Sequence, residues 1–297
     1  DDYNHKGHTE DLRYFFDRYL KGEDNGWENT PKVRVSVLNP GGKDIVDREE
    51  EDFPIPRTRY KRLYLDAGEN ALRECPVSLE SYVGYNSDRK RSGVSFSMKM
   101  SEDTELTGYM KLRLWVSALD HDDMDLCVML EKRRPNGLKY KYSLGPGMDT
   151  SAKGYIRVSL RELDQEKSTE ENPRQSMKQE QKLKSGEIVP VDILIWPMGL
   201  KFKKGDILRI TVSPYKTQKM WTGPFKLKMA KITIPKEGYT YFPDDKPEMY
   251  MIGGSEMFAG SKVDTANMPK DHNKGRHRIY TGGKYDSFLY VPIIPEN

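Results

Sequence analysis

The feature that most constrains the fold is a segment with clear period-2 alternation, residues 186–214 (GEIVPVDILIWPMGLKFKKGDILRITVSP). Its apolar residues fall on one face of each of two successive strands: Val189, Val191, Ile193 and Ile195, then Leu208, Ile210 and Val212. Pro197, Gly199 and Gly205 predict the break between the strands, because proline and glycine favour turns. A strand with one apolar face needs a second layer to cover it, so the segment predicts a β-sandwich.

The rest of the chain adds strands and almost no helix. Residues 44–56 are predicted to be an acidic connector, and residues 164–184 a surface excursion with a short helix near 176–182. Because many strands follow one another without helices, an antiparallel jelly-roll or Greek-key sandwich is favoured, and the fold class is all-β. Strands are predicted at residues 33–37, 59–65, 81–85, 94–98, 105–118, 125–131, 139–144, 155–163, 229–234, 276–280 and 287–294.

One amphipathic helix is predicted ahead of the first strand, over residues 9–21. Thr9 is its predicted N-cap, and Gly22 ends it. Its aromatic-rich face follows the i, i+3, i+4, i+7 spacing through Leu12, Phe15, Phe16 and Tyr19. Such a face must be buried, either on the sandwich or against a domain that is not part of this sequence.

Charge and composition argue against nucleic-acid and membrane partners. The 297 residues carry 49 basic and 46 acidic side chains, whereas nucleic-acid binding usually requires one-sided charge. Mean hydropathy is −0.82, and no run approaches the ~18 apolar residues of a membrane span. The two cysteines, Cys75 and Cys127, do not make a disulfide framework, so a reducing, cytoplasmic compartment is slightly favoured.

The sequence lacks the motif of a serine hydrolase. An α/β-hydrolase needs its serine in a G-x-S-x-G elbow, and the string GGSEM at 253–257 lacks the last glycine. Ser255 is therefore interpreted as a loop serine. The five histidines show neither an HExxH motif nor zinc spacing with the cysteines, so no metal and no cofactor are predicted.

The acidic cluster DHDDMD at 120–125 has two interpretations. Several carboxylates in one loop can bind calcium, but the glycine and the distal glutamate of an EF-hand are missing. The favoured interpretation is a loop before a strand, in which one or two carboxylates cap backbone amides.

Segment 215–271 is the candidate binding region. It is rich in proline, glycine, methionine and aromatic residues and has little regular period. A loop this long in a compact domain usually covers a site or meets a partner. Trp221 could stack on a sugar ring, as in carbohydrate-binding modules, although packing beneath its own loop is the favoured interpretation.

Several strings, in this order along the chain, resemble the cocaine-esterase / X-prolyl dipeptidyl-peptidase family of serine hydrolases. The strings LRYFFDRYLKG (12–22), DNGW (24–27) and PKVR (31–34) are similar to the junction between that family's hydrolase domain and its C-terminal β domain. Landmarks of the β domain follow: GYIR (154–157), RELD (161–164), IWP (195–197), the residues from GD (205–206) to VS (212–213), and TGGKYDS (281–287).

The resemblance implies that this chain is the family's C-terminal non-catalytic domain. The implied fold is a galactose-binding-like jelly roll over residues 31–297 with an insertion at 215–271, after a closing helix and linker of a hydrolase domain at residues 1–30. No catalytic residue carries over, because the family's serine, aspartate and histidine lie before this helix. The implied partner is an α/β-hydrolase catalytic domain or chain, with contacts between copies of the chain also expected. The implied pocket wall is Tyr215, Trp221 and Phe225.

Three functions follow from these observations. The first is a non-catalytic β domain that packs over and helps shape the active site of an ester- or X-prolyl-dipeptide-cleaving hydrolase. The second is a free-standing carbohydrate-binding, lectin-like module. The third, a complete hydrolase within this chain, is least favoured because the elbow serine is missing.

Overall fold

The computed structural model describes residues 6–89, 92–140, 151–214 and 273–295, which contain one α-helix and thirteen strands. The helix, α1, spans Lys6–Lys21. The strands are β1 Val33–Val37, β2 Ile45–Glu50, β3 Arg59–Asp66, β4 Ala71–Arg73, β5 Ser81–Asn86, β6 Val94–Lys99, β7 Thr104–Ala118, β8 Asp125–Arg133, β9 Ala152–Arg157, β10 Val189–Phe202, β11 Ile207–Pro214, β12 Arg276–Thr281 and β13 Phe288–Ile294.

Eleven strands of the described ranges form one hydrogen-bonded sheet that folds over on itself. The long strand β7 has β10 along one edge, and β12 and β13 along the other. From β12 the sheet continues to β5, and from β13 it continues through β3, β4, β6, β11 and β8 to β9. These pairings are antiparallel except where Ala71 of β4 meets Ser97 of β6, at the passage from one layer to the other.

The two layers enclose an apolar core. The alternating residues of segment 186–214 face this core, as predicted, and the all-β sandwich with an N-terminal helix is confirmed. The galactose-binding-like subtype stays a prediction. Fully buried core side chains come from both layers: Leu112, Leu114, Ile193 and Ile195 from one, and Phe96, Leu126, Leu130, Leu208 and Ile210 from the other.

Strand β10 continues through part of the predicted break. Pro197 and Gly199 lie inside β10, where a bulge between Ile195 and Met198 shifts the register against β7. A bulge is one of the few places where a strand tolerates proline, which has no amide hydrogen to donate. The break was therefore predicted wrongly at Pro197 and Gly199, and correctly at Gly205, which has φ 93°.

β10 and β11 do not pair with each other. β10 pairs with β7, whereas β11 lies between β6 and β8. The most regular segment of the sequence therefore supplies one strand to each layer of the sandwich.

Other element boundaries differ from the sequence prediction. β9 ends at Arg157, because the Asp123 carboxylate accepts hydrogen bonds from the amide and hydroxyl of Ser159 and turns the chain away. The predicted strand 155–163 is thus wrong beyond Arg157. The predicted connector 44–56 contains β2, and α1 begins at Lys6, so that Thr9 lies inside the helix rather than at its cap.

The excursion after β9 folds back on itself without a helix at 176–182. The amide of Asp164 donates to the carbonyl of Arg174 at 2.8 Å, and the amide of Ser176 donates to the carbonyl of Glu162 at 2.8 Å. The predicted strand 229–234 and most of 139–144 lie outside the described residues.

A second, two-stranded sheet of β1 and β2 attaches to the edge of β10. The Leu38 amide donates to the Gly199 carbonyl at 2.9 Å, and the Lys201 amide donates to the Leu38 carbonyl at 2.8 Å. A Cβ at Gly199 would lie 2.8 Å from the carbonyl oxygen of Ser36, so this approach requires glycine.

No helix among the described residues is long and apolar enough to cross a bilayer.

Candidate functional site

Helix α1 presents an aromatic face that the described strands leave uncovered and that only Trp27 touches, through Phe15. Its exposed members are Leu12, Phe15, Phe16, Tyr19 and Leu20, the last with 77% of its surface accessible. We call these five residues the aromatic face. A contiguous apolar surface of this kind commonly marks an interaction site. Of the two predicted locations for this face, burial on the sandwich is not observed in the described part of the chain.

The helix is held to the following segment by its carboxyl-terminal half. Gly22 adopts φ 74° and the Glu23 amide donates to the Asp17 carbonyl at 3.1 Å, which ends the helix. Asn25 Nδ2 then donates to the Tyr14 carbonyl at 2.8 Å. The Phe15 ring meets Trp27 edge to face, with ring centroids 5.6 Å apart.

One ion pair ties the amino-terminal half of α1 to β1. Arg34 of β1 lies 2.7 Å from the Asp11 carboxylate. Asp11 is not among the residues of the aromatic face, so that face stays open while the helix is anchored.

A charged network joins the β1–β2 sheet to the sandwich. Arg48 of β2 donates to both carboxylate oxygens of Glu105 in β7, at 2.8 and 2.7 Å, and to Glu50 at 2.7 Å. Arg57 donates to both oxygens of the same Glu50. Burial alone would raise the pKa of Glu50, but the hydrogen bonds from Arg57 and Arg48 hold that pKa below its usual value. The position of α1 is thus linked to the long central strand through charged side chains.

The sequence analysis missed this network. The available signal was the alternation of Arg48 and Glu50, which places both on one face once β2 is recognised as a strand.

The residues predicted for the pocket wall lie outside the described residues. Tyr215, Trp221 and Phe225 belong to the range 215–272, as does Ser255. The wall assignment therefore stays a prediction.

The described residues do not assemble a catalytic triad. Ser159 donates its hydroxyl hydrogen to Asp123 at 2.7 Å, but both side chains are fully buried. The same carboxylate also contacts Lys182 and accepts the amides of Met124 and Ser159. His277 has no hydrogen-bond partner at either ring nitrogen, so its imidazole does not activate a serine.

The acidic loop 120–125 uses its carboxylates to hold the fold. Hydrogen bonds from Arg276 lower the pKa of Asp120 to about 2. Asp123 caps amides as predicted, and Asp125 accepts a hydrogen bond from Arg157 at 3.0 Å. No group of three or more histidine, cysteine, aspartate or glutamate residues in the described ranges is arranged to hold a metal ion.

A cavity of about 320 Å³ lies between the β8–β9 edge and the excursion. Its wall is mainly apolar, and Asp125, Arg157 and Gln175 supply the polar groups. The apolar part consists of Leu126, Ile156, Leu160, Met177 and the ring of Tyr155.

Comparison with known proteins gives this architecture a family. The family model of the X-Pro dipeptidyl-peptidase C-terminal non-catalytic domain matches residues 25–290. An all-β sandwich without a triad in its described residues is what a non-catalytic domain of a hydrolase requires. The chain belongs to this family, and the resemblance found in the sequence is confirmed. No curated protein matches the chain significantly.

Solved structures agree with this assignment. Two crystal structures of a CocE/NonD family hydrolase from Staphylococcus aureus are 34% identical to the chain, with TM-scores of 0.76 and 0.75. They cover 98% and 99% of this chain, but the chain covers only 47% and 46% of theirs. The chain therefore spans about half the length of these relatives.

More distant structures share the fold alone. An aminopeptidase from the marine sediment archaeon Thaumarchaeota archaeon is 14% identical, with a TM-score of 0.59 and coverage of 96% of this chain and 44% of its own. An alpha-amino acid ester hydrolase is 15% identical, with a TM-score of 0.54 and coverage of 95% and 44%.

Proposed function

We propose that this chain serves as the β-sandwich of an α/β-hydrolase of the acyl-ester or X-prolyl dipeptidyl-peptidase type, packing over the active site of its catalytic moiety. Residues 1–30 would be the closing helix and linker of that moiety, and Tyr215, Trp221 and Phe225 of the insertion would wall its pocket. The single observation that carries the proposal is the uncovered aromatic face of α1.

The extent of the similarity supports this role for the helix. α1 lies before residue 25, where the family match begins, yet the hydrolase structures cover 98% of the chain. The uncovered 2% is only about six residues of 297, so most of α1 has a counterpart in the S. aureus hydrolase. A helix shared with the hydrolase but outside the β-domain model is the expected position for a contact with the catalytic half.

The energetics also favour a partner at this face. Fully burying one large apolar side chain is worth about 1.5–3 kcal/mol. Phe16 and Leu20 lie one turn apart on α1 and are both exposed, so a partner that covers them gains several times the thermal energy.

The test measures binding and activity with the hydrolase moiety encoded with this chain. If the catalytic moiety and this chain belong to one longer polypeptide, the two halves are expressed separately. If they are separate polypeptides, the catalytic one is identified by measuring the masses of the chains in native material. We expect the chain alone to leave p-nitrophenyl esters and X-prolyl p-nitroanilides uncleaved. We expect the reassembled pair to cleave one of them faster than the catalytic moiety alone.

Matched substitutions locate the contact. Phe16→Ser combined with Leu20→Ser is expected to weaken binding to the catalytic moiety by at least about 30-fold, because two apolar anchors are lost. The control is Leu79→Ser, since Leu79 is 78% exposed but lies in the loop before β5. Equal binding by the helix variant and the wild type would contradict the proposal, as would ester cleavage by the chain alone.

The alternative of a free-standing lectin-like module predicts a different outcome. The chain alone would bind a glycan array, and the helix substitutions would leave that binding unchanged. Contacts between copies of the chain stay a prediction, which light scattering after size exclusion tests directly.

A further inference from the structure

Polar side chains without hydrogen-bond partners are buried together where β5 meets β12. Both ring nitrogens of His277, the hydroxyl of Tyr85 and the hydroxyl of Ser87 lack partners. His277 is only 1% exposed, and its ring meets Tyr85 edge to face with centroids 5.2 Å apart. Buried polar groups are nearly always hydrogen-bonded, so such a cluster calls for an explanation.

The strand register fixes His277 inside the sandwich. In β12, His277 lies opposite Tyr85 of β5 on one side and Ala118 of β7 on the other. The alternation that buries Ile279 also turns the His277 ring toward the core. At 1% exposure the ring is shielded from bulk water while β12 stays paired.

The surrounding charged groups do not hydrogen-bond the His277 ring. Asp88 after β5, Asp120 and His121 after β7, and Asp125 at the start of β8 influence it electrostatically. Asp120 is bound by Arg276 and Asp125 by Arg157. The three carboxylates favour the protonated ring, but the burial of His277 outweighs them and lowers its pKa.

We propose that the β5–β12 edge is an acid-sensitive latch, which opens when His277 takes up a proton while the rest of the sandwich stays folded. A protonated imidazole donates two hydrogen bonds, and in the closed edge neither ring nitrogen of His277 has a hydrogen-bond partner. β5 pairs only with β12 among the described strands, so the edge can open without disrupting the pairs of β8 and β11.

The direction of the pH effect follows from proton linkage. Burial lowers the pKa of His277 to about 4 in the closed state, against 6.5 for an unperturbed histidine in the open state. Well above pH 6.5 the ring is neutral in both states and the closed edge keeps its full stability. As pH falls from 6.5 towards 4, the open state binds the proton first and stability is lost. The opening equilibrium is therefore expected to rise roughly 20-fold between pH 7 and pH 5.

Hydrogen exchange of the whole chain tests the latch. Amide protection at pH 7 and pH 5, corrected for intrinsic exchange, is compared between the edge peptides (81–86 and 276–281) and a reference peptide in β11 (207–214). We expect protection at the edge to fall roughly 20-fold in the wild type, with the reference unchanged. His277→Phe keeps a ring without a titrating group and should reduce this effect to less than about threefold.

The matched control is His121→Gln, which removes a histidine of the neighbouring loop and should behave as the wild type. The proposal is overturned if the edge keeps its protection at pH 5. It is also overturned if β11 loses protection to the same extent, or if His277→Phe opens as the wild type does.

A second measurement needs no variant. Titration of the imidazole carbon shifts by NMR in the wild-type chain should give a midpoint below pH 5 for His277. A His277 midpoint near 6.5 would show that the ring is hydrated or paired in the closed state, which removes the basis of the latch.

Discussion

At the scale of single residues, the buried ion pair of Lys132 and Asp206 joins two positions that are far apart along the chain. Lys132 of β8 has a side chain only 1% exposed and lies 3.2 Å from the Asp206 carboxylate. Its ammonium also donates to Asn39 at 3.1 Å, and Tyr140 donates its hydroxyl to Asp206 at 2.6 Å. Burial lowers the pKa of Lys132, so its charge depends on these partners.

Removing one member of this pair should be costly. Lys132→Met leaves the Asp206 carboxylate buried without its cation, and we expect the free energy of unfolding in urea to fall by about 3–5 kcal/mol. The double variant with Asp206→Asn should recover part of that loss. Lys61→Met is the control, because its pair with Glu74 is exposed and should cost under about 1 kcal/mol. Equal losses for the two lysines would contradict this account.

For one buried hydroxyl, we predict that a substitution raises the free energy of unfolding instead of lowering it. The Tyr85 hydroxyl has no partner, and Tyr85→Phe removes it while keeping the ring. We expect the free energy of unfolding to rise by about 1 kcal/mol, because an unsatisfied buried group is lost. A decrease of that size would mean that the hydroxyl is bonded, for instance to an ordered water.

Sequence reasoning could not find these residues, for a physical reason. Arg48 and Glu105 are 57 positions apart, and Lys132 and Asn39 are 93 apart. Charge patterning detects neighbours within a helix turn or across a hairpin, whereas these pairs exist only after the layers have closed. The capping role in loop 120–125 was interpreted correctly because Asp123 accepts the adjacent Met124 amide, which is a local interaction, whereas its bond with the Ser159 amide, 36 positions away, could not be predicted.

At the scale of elements, the period-2 pattern located most strands, and local tertiary contacts decided where they end. β7 and β8 were predicted within two residues at each end, since one face is apolar from Leu106 to Ala118 in β7 and from Leu126 to Leu130 in β8. β9 ends where the Asp123 carboxylate accepts a hydrogen bond from the Ser159 amide. β10 continues through Pro197 because a bulge between Ile195 and Met198 accommodates the proline. Neither event is visible in the hydrophobic period.

The contact of β9 with β10 depends on one glycine. A Cβ at Gly154 would lie 2.4 Å from the Leu194 carbonyl, which is backbone and cannot move aside cheaply. We expect Gly154→Ala to lower the free energy of unfolding by about 1–3 kcal/mol, as overpacking does. Thermal and urea unfolding measure this loss.

Gly68→Ala is the matched control for the close contact between β9 and β10. A Cβ at Gly68 would lie 3.3 Å from one side-chain oxygen of Asp66, which can rotate. The loss should stay below about 1 kcal/mol. If both alanine variants were equally stable, β9 and β10 would not be packed as closely as described.

At the scale of the whole molecule, α1 and the sandwich are unequal contributors to stability. The helix contacts the turn at Trp27 and pairs with Arg34, while its apolar side chains stay in water. Deleting residues 1–24 should therefore change the free energy of unfolding of the sandwich by no more than about 1 kcal/mol. A loss above about 3 kcal/mol would show that the helix belongs to the core. Urea unfolding measured by tryptophan fluorescence decides between these outcomes.

The bidentate contact between Arg48 and Glu105 has a consequence for assembly. Both side chains are mostly buried, so dissolved salt screens their attraction weakly. An open pair such as Arg18 with Asp24 weakens in concentrated salt, but the bridge from β2 to β7 should persist. The two-stranded sheet that carries Arg34, and through it the amino-terminal helix, should therefore keep its place against the central strand in dilute buffer and in brine.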